Sequence, residues 1–256
     1  RKKETATACT LPAGATVLFG ATPVRQFPIP VRDAMYMVKA NLQASQNHSG
    51  FLRVGGQRAA LRAYLQMRLS FVVMTVDREA LLRRCLDSLA GPPPGVEVLT
   101  VFNGSPAGMR ERVARDYPWT RALALKRCSL GEGRNRGARE ARGEVLHFLD
   151  DDTRAPAGFA VRVLDAFKRY PETPCIGGPN LAPEDSGAFS RASDFLLRSP
   201  LGAGPMRVRY RTGGADRAVP GWALMLCNLG VRRDIFERHG LAFPERCASA
   251  EENLLM

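Results

Sequence analysis

Three carboxylates in succession, Asp150, Asp151 and Asp152, follow directly on Glu144-Val145-Leu146-His147-Phe148-Leu149. A buried-looking strand that ends directly in acids places them at a strand's carboxyl end, where open parallel sheets gather their ligands. Like charges held this close repel one another, and a cation relieves that repulsion. Asp150 and Asp152, in D-x-D spacing, offer hard oxygen ligands suited to Mg2+ or Mn2+, which take carboxylates together with diphosphate oxygens. A purely local reading competes with this one. Asp151, Asp152 or Thr153 would then cap a helix starting near Pro156, the carboxylates favouring its positive end.

The elements that must position these acids form an α/β alternation that starts abruptly at Leu69. Residues 70–76 read as a strand, with Asp77 as the cap of a helix over 79–89 whose Leu81, Leu82, Cys85, Leu86 and Leu89 share one face. The run Gly91-Pro92-Pro93-Pro94-Gly95 ends that helix, and a second strand over 96–102 leads into the turn Asn103-Gly104-Ser105. A helix at 109–115, a strand at 121–125 and a Gly/Ala/Arg-rich helix at 132–142 precede the acidic strand. A helix over 157–170 and a strand and turn over 175–179 follow it. Beyond Leu181 the pattern reads as irregular until an apolar stretch at 219–230, which contains Trp222, and a short helix near 232–239.

The composition narrows the function classes. In 256 residues, 45% hydrophobic and 24% charged, no apolar run approaches the roughly 20 residues that span a bilayer. The net charge of +12 invites a nucleic-acid or membrane-surface reading. Its location qualifies that: residues 1–68 hold ten Lys/Arg and two acids, so most of the excess sits on an N-terminal extension. A basic nucleic-acid-binding protein is the alternative this charge offers, but nucleic acid is not the expected partner, because the basic segment lacks interleaved aromatics and such a role leaves the acids at 150–152 and 251–252 unexplained. Six dispersed cysteines without a CxxC pair, and three histidines, argue against zinc and read as reduced thiols of a cytoplasmic protein. The chain opens on Arg1 and stops at Met256 without a terminator-like tail, as a fragment would.

Taken in order, the motifs resemble those of glycosyltransferase family 2, enzymes of the GT-A fold, over about residues 69–256. The family's V-V-I-P-T-Y-N-R corresponds to Val72-Val73-Met74-Thr75-Val76-Asp77-Arg78. Its second strand end, D-D-G-S or D-N-G-S, corresponds to Phe102-Asn103-Gly104-Ser105. Its A-R-N-x-G corresponds to Gly133-Arg134-Asn135-Arg136-Gly137, followed by Ala141-Arg142-Gly143-Glu144 and then by the D-x-D. Near the C-terminus, residues 226–236 resemble the strand and R-R-x-x-F helix start that precede the family's E-D pair, which falls on Glu251-Glu252.

The resemblance implies a mostly parallel, Rossmann-like sheet flanked by helices, with a nucleotide-binding half at about 69–155 and an acceptor-binding half at about 156–256. It implies a donor site of Thr75, Asp77, Asn103, Arg134, Asp150 and Asp151, with Thr75 and Asn103 at the base, Arg134 near the nucleotide and Asp150 near the ribose. Asp152, with Asp150, would hold Mn2+ or Mg2+. Glu252 would be the general base, Glu251 the second choice. The implied reaction is inverting transfer from a nucleotide sugar, a UDP-sugar by expectation, to a glycan or lipid-linked acceptor in surface polysaccharide or glycolipid synthesis. Phe102 stands where the family often has an acid, which keeps a catalytically silent GT-A domain as an alternative. Residues 58–69 form a basic amphipathic pattern that either packs on this domain or touches the inner face of the plasma membrane. His147, on an apolar strand, reads as structural.

Overall fold

The structure is a computed structural model that describes residues 24–26, 67–183, 185–212 and 216–245. The acids Glu251 and Glu252, and all of the N-terminal extension except residues 24–26 and 67–68, lie outside the described residues.

Leu69–Thr75 forms β2, and every one of its residues is buried. A strand without polar alternation must be covered on both faces, and here it is. Leu69, Phe71 and Val73 pack with Leu82, Leu86, Val113 and Phe167 on one side, while Val72 and Met74 pack with Val101, Ala138, Phe148 and Phe243 on the other. The first side is closed by α1 (Glu79–Ser88), α2 (Ala107–Asp116) and α4 (Phe159–Arg169), the second by α3 (Leu130–Glu140) and the chain at Phe243.

The other strands are β1 (Val24–Gln26), β3 (Val96–Asn103), β4 (Arg121–Leu125), β5 (Val145–Asp150), β6 (Cys175–Gly177), β7 (Arg217–Val219) and β8 (Asn228–Arg232). Among the described residues, these and β2 form one eight-stranded sheet in the order β4-β3-β2-β5-β8-β6-β1-β7. The pairs β2–β3, β3–β4 and β2–β5 are parallel, and β8 enters antiparallel between β5 and β6. From β2 the chain steps outward through β3 and β4, then returns to the other flank of β2 with β5. That reversal creates a topological switch point between β2 and β5, and the register sets Met74 opposite Asp150 at its mouth.

Several expectations need correction. The first helix begins after Arg78, whose side chain makes no capping bond, so Asp77 is not its cap. The third begins at Leu130 instead of 132 because Ser129 accepts a hydrogen bond from the Glu132 amide (3.1 Å), the S-x-x-E cap. The helix after the acids starts at Phe159 behind Gly158, which removes the local capping reading of Asp151, Asp152 and Thr153. The stretch beyond Leu181 is not irregular: it holds α5 (Ala188–Arg198), α6 (Pro200–Ala203) and the 3-10 helix η1 (Gly204–Tyr210). Closely spaced Pro and Gly at 183, 187, 200, 202, 204 and 205 mask that helical spacing in the sequence. A second 3-10 turn (Gly221–Ala223) and α7 (Arg233–His239) flank β8.

His147 is a core residue, as its strand position suggests. It is 2% exposed between Phe71 and Phe159, and its Nε2 lies 3.1 Å from Asn228 Oδ1. Burial pushes its pKa down to about 4, so the ring is neutral, and the tautomer that suits Asn228 carries its hydrogen on Nε2.

Candidate active site

At the switch point the acids are ordered by their neighbours rather than left as a cluster of like charges. Asp151 is 1% exposed, and the buried Thr75 hydroxyl donates to its Oδ2 at 2.7 Å, joining the ends of β2 and β5 across the crevice. The Arg78 guanidinium reaches the same site from the start of α1, donating to Asp151 through Nη2 and to Asp152 Oδ2 through Nη1 at 3.0 Å. Burial raises the pKa of Asp151, with Thr75 and Arg78 pulling the other way. Burial also works against the Arg78 cation, but Asp151 and then Asp152 outweigh it and hold that group protonated.

Arg134, 6% exposed on α3, donates to Asp150 Oδ1 at 3.0 Å. It is a paired charge lining the mouth, not a solvated one. The helix can carry it there because α3 lies unusually close to the sheet. A Cβ on Gly133 would sit 2.7 Å from Met74 Sδ, and one on Gly137 would sit 2.7 Å from Val72 Cγ1 and 3.0 Å from Val101 Cγ2. The i, i+4 glycines are thus the contact face of the helix.

The two asparagines of the quoted motifs do the same job at different places. Asn103, 0% exposed, donates through Nδ2 to the Cys128 carbonyl (3.0 Å) and accepts the Cys128 N–H on Oδ1 (2.9 Å), tying the end of β3 to the approach to α3. Asn135, 4% exposed, likewise donates to the Phe243 carbonyl (2.9 Å) and accepts the Phe243 N–H (2.8 Å). Asn135 therefore fixes the segment that runs on toward Glu251 and Glu252. The amide of Asn103, expected at the nucleotide base, serves the backbone on both of its ends.

The structure brings Thr75, Arg134, Asp150, Asp151 and Asp152 together. Asp77 is exposed at the same end of β2, with no side-chain hydrogen bond among the described residues. Sequence reasoning named Arg78 and Asn135 only as letters of motifs. An Arg three residues past a strand end, facing an adjacent acidic strand end, was the available signal for the first; none existed for the second, whose partner lies 108 residues away.

As a metal site the mouth is sparse. Among the described residues no group of three or more His, Cys, Asp or Glu side chains is placed to hold an ion. Asp152 and Asp150 are about half and one third exposed, and each gives one oxygen to an arginine. Their other oxygens fit a hard cation that takes one or two carboxylates and completes its shell with phosphate and water.

The family model described as Glycosyl transferase family 2 matches residues 70–240, about two thirds of the chain. None of the curated proteins compared with the chain matches it. Among solved structures, S. aureus TarS 1-349 in complex with UDP is similar at 19% identity and a TM-score of 0.53, over 74% of this chain and 54% of that one. The mannosyltransferase PcManGT from Pyrobaculum calidifontis, in complex with GDP-Man and Mn2+, is similar at 21% identity and a TM-score of 0.50, over 73% of this chain and 50% of that one. The chain spans about half the length of these structures, and at such identity the likeness is one of fold. The ordered motifs, the sheet reversing at β2 and β5, the acids gathered at that reversal and the family match agree: the chain belongs to glycosyltransferase family 2 and has the GT-A fold.

Proposed function

We propose that this domain transfers a sugar from a nucleotide-sugar donor to an acceptor hydroxyl with inversion at the anomeric carbon. The single observation that carries the reading is the mouth itself: acids held in fixed places by Thr75, Arg78 and Arg134 at the switch point, with Asp152 half exposed beside them. Structural neighbours in complex with UDP, with UDP-GlcNAc and with GDP-Man and Mn2+ support a nucleotide-sugar donor, for which a UDP-sugar is our expectation.

In this reading Asp150 orients the ribose from its ion pair with Arg134, while Thr75 and Arg78 hold Asp151 in place beside it at the donor. Asp152, with Asp150 beside it, would hold Mn2+ or Mg2+, whose bound charge offsets that developing on the departing diphosphate. Glu252 accepts the proton of the acceptor hydroxyl, with Glu251 as its alternate. The hydroxyl oxygen bonds to the anomeric carbon as the bond to the diphosphate breaks, and one displacement inverts the centre. The acceptor we favour is a glycan or a lipid-linked saccharide of surface polysaccharide or glycolipid synthesis.

Calorimetry of the chain with UDP, GDP, CDP and dTDP, each with and without Mn2+, tests this directly. One nucleotide should bind, and Mn2+ should tighten it. Failure of all of them with metal present would overturn the enzyme reading and leave a catalytically silent domain.

A further inference from the structure

The segment from α5 through η1 is built inside out. Apolar residues at i, i+3, i+4 and i+7 normally face a core. In α5 the apolar stripe through Phe189, Ala192, Phe195 and Leu196 faces solvent: Phe189 is 85% exposed, Phe195 77% and Leu196 55%. The half-buried positions of the helix are Ser193, Asp194, Leu197 and Arg198, and Asp194 accepts the Ala182 N–H and pairs with Arg198 on that inner side. Leu201, 97% exposed, extends the apolar surface past the end of the helix, and no residue of α5, α6 or η1 is buried. Exposed apolar patches of this kind mark interaction surfaces.

Charge identifies the occupant. Residues 188–211 carry five arginines and one acid, Asp194, which is already paired. Arg191 and Arg211 are exposed. Arg207 and Arg211 line, with Trp222, a hollow of about 390 Å³ beside the 3-10 helix. A second copy meeting this surface about a twofold axis would set like charges against each other. An anionic bilayer satisfies both properties: apolar side chains enter the interface, the arginines meet lipid phosphates, and an amphipathic Trp sits at headgroup depth.

We infer that α5, α6 and η1 form a docking surface for anionic membranes. The surface is tied to the acidic mouth. Arg154, in the loop after the acids, pairs with Asp185 at 2.6 Å just before α5. Asn180 donates its backbone N–H to the Arg209 carbonyl at 2.8 Å and its amide to Cys227 Sγ at 2.7 Å, and the Thr153 hydroxyl donates to the Cys227 carbonyl at 3.4 Å. Docking would therefore set the mouth next to the lipid surface. The inference does not rest on sugar transfer, since vesicle binding is read without donor or metal.

The test is co-sedimentation of the whole chain with vesicles of phosphatidylcholine alone and of phosphatidylcholine mixed with phosphatidylglycerol. The chain should bind the mixed vesicles, and salt should weaken that binding. The double change Phe195→Ser/Leu196→Ser should weaken it about tenfold or more, and Arg191→Ala about fivefold, with unchanged thermal unfolding in each case. Binding that both variants retain would overturn the inference and assign the contact to another part of the chain, such as the basic residues before 68. Absence of binding to mixed vesicles would also overturn it, as would a light-scattering dimer that Phe195→Ser converts to monomer.

Discussion

The acidic mouth and the α5–η1 layer are neighbours built on opposite rules. At the mouth, polar groups are taken inside and each is given a partner: Thr75 for Asp151, Arg134 for Asp150, Asn103 for Cys128 and Asn135 for Phe243. In the layer, apolar groups are put outside and no residue is buried. Burial makes an unpaired polar group costly, so the mouth is held in one arrangement. Exposure leaves Phe189, Phe195, Leu196 and Leu201 contributing little to folding, and exposed apolar residues grouped in this way mark a surface that meets something. The mouth is held still by pairing, while the neighbouring layer leaves apolar side chains in solvent.

That contrast can be broken at four points, taken in order of expected effect. Glu252→Gln should lower turnover by about 10² to 10⁴ fold while leaving nucleotide binding intact, measured by steady-state rates beside calorimetry. Unchanged turnover would move the base to Glu251 or remove it from this pair.

The second is a pH effect at the buried His147. Its pKa is about 4 in the folded chain against an ordinary 6.5. Between those values the unfolded chain binds a proton that the folded chain refuses. Stability is therefore undiminished by this group above pH 6.5 and falls as pH drops toward 4, by about 3 kcal/mol in full. Urea midpoints across that window should show the slope, and His147→Gln should flatten it.

Third, Asn135→Ala strands the Phe243 N–H and carbonyl and should cost about 2 kcal/mol in urea unfolding. Turnover should fall with it, since the segment leading to Glu252 loses its anchor. Smallest is Phe195→Ser, which should shift unfolding by no more than about 0.5 kcal/mol. A loss as large as that of Asn135→Ala would show that the stripe is folded against something, and the contrast between the regions would fail.

Much of the sheet is legible in the sequence because its cause is local. An unbroken apolar run such as 71–74 predicts a strand covered on both faces, and the Gly-Pro run at 91–95 predicts a stop. Helix starts are less legible. Ser129 and Glu132 do spell a cap, but the Gly/Arg composition of α3 obscures it, and the Pro and Gly flanking α5 hide a regular amphipathic helix. The site divides in the same way. Asp150, Asp151 and Asp152 announce themselves as neighbours in sequence, whereas the partners that decide what each one does lie 16 to 76 residues away.

The sequence by itself determined that an α/β sheet ends in three acids, that the motifs run in the order of one family, and that most of the excess positive charge precedes residue 69. These depend on residue type and short spacing. Only the tertiary structure decided that Asp151 is buried under Thr75 and Arg78 while Asp152 remains half exposed, and that Asn103 and Asn135 are backbone clamps. It also decided that α5 turns its apolar side to solvent. Burial and pairing are set by which distant segments close over a residue, and no local pattern of letters carries that.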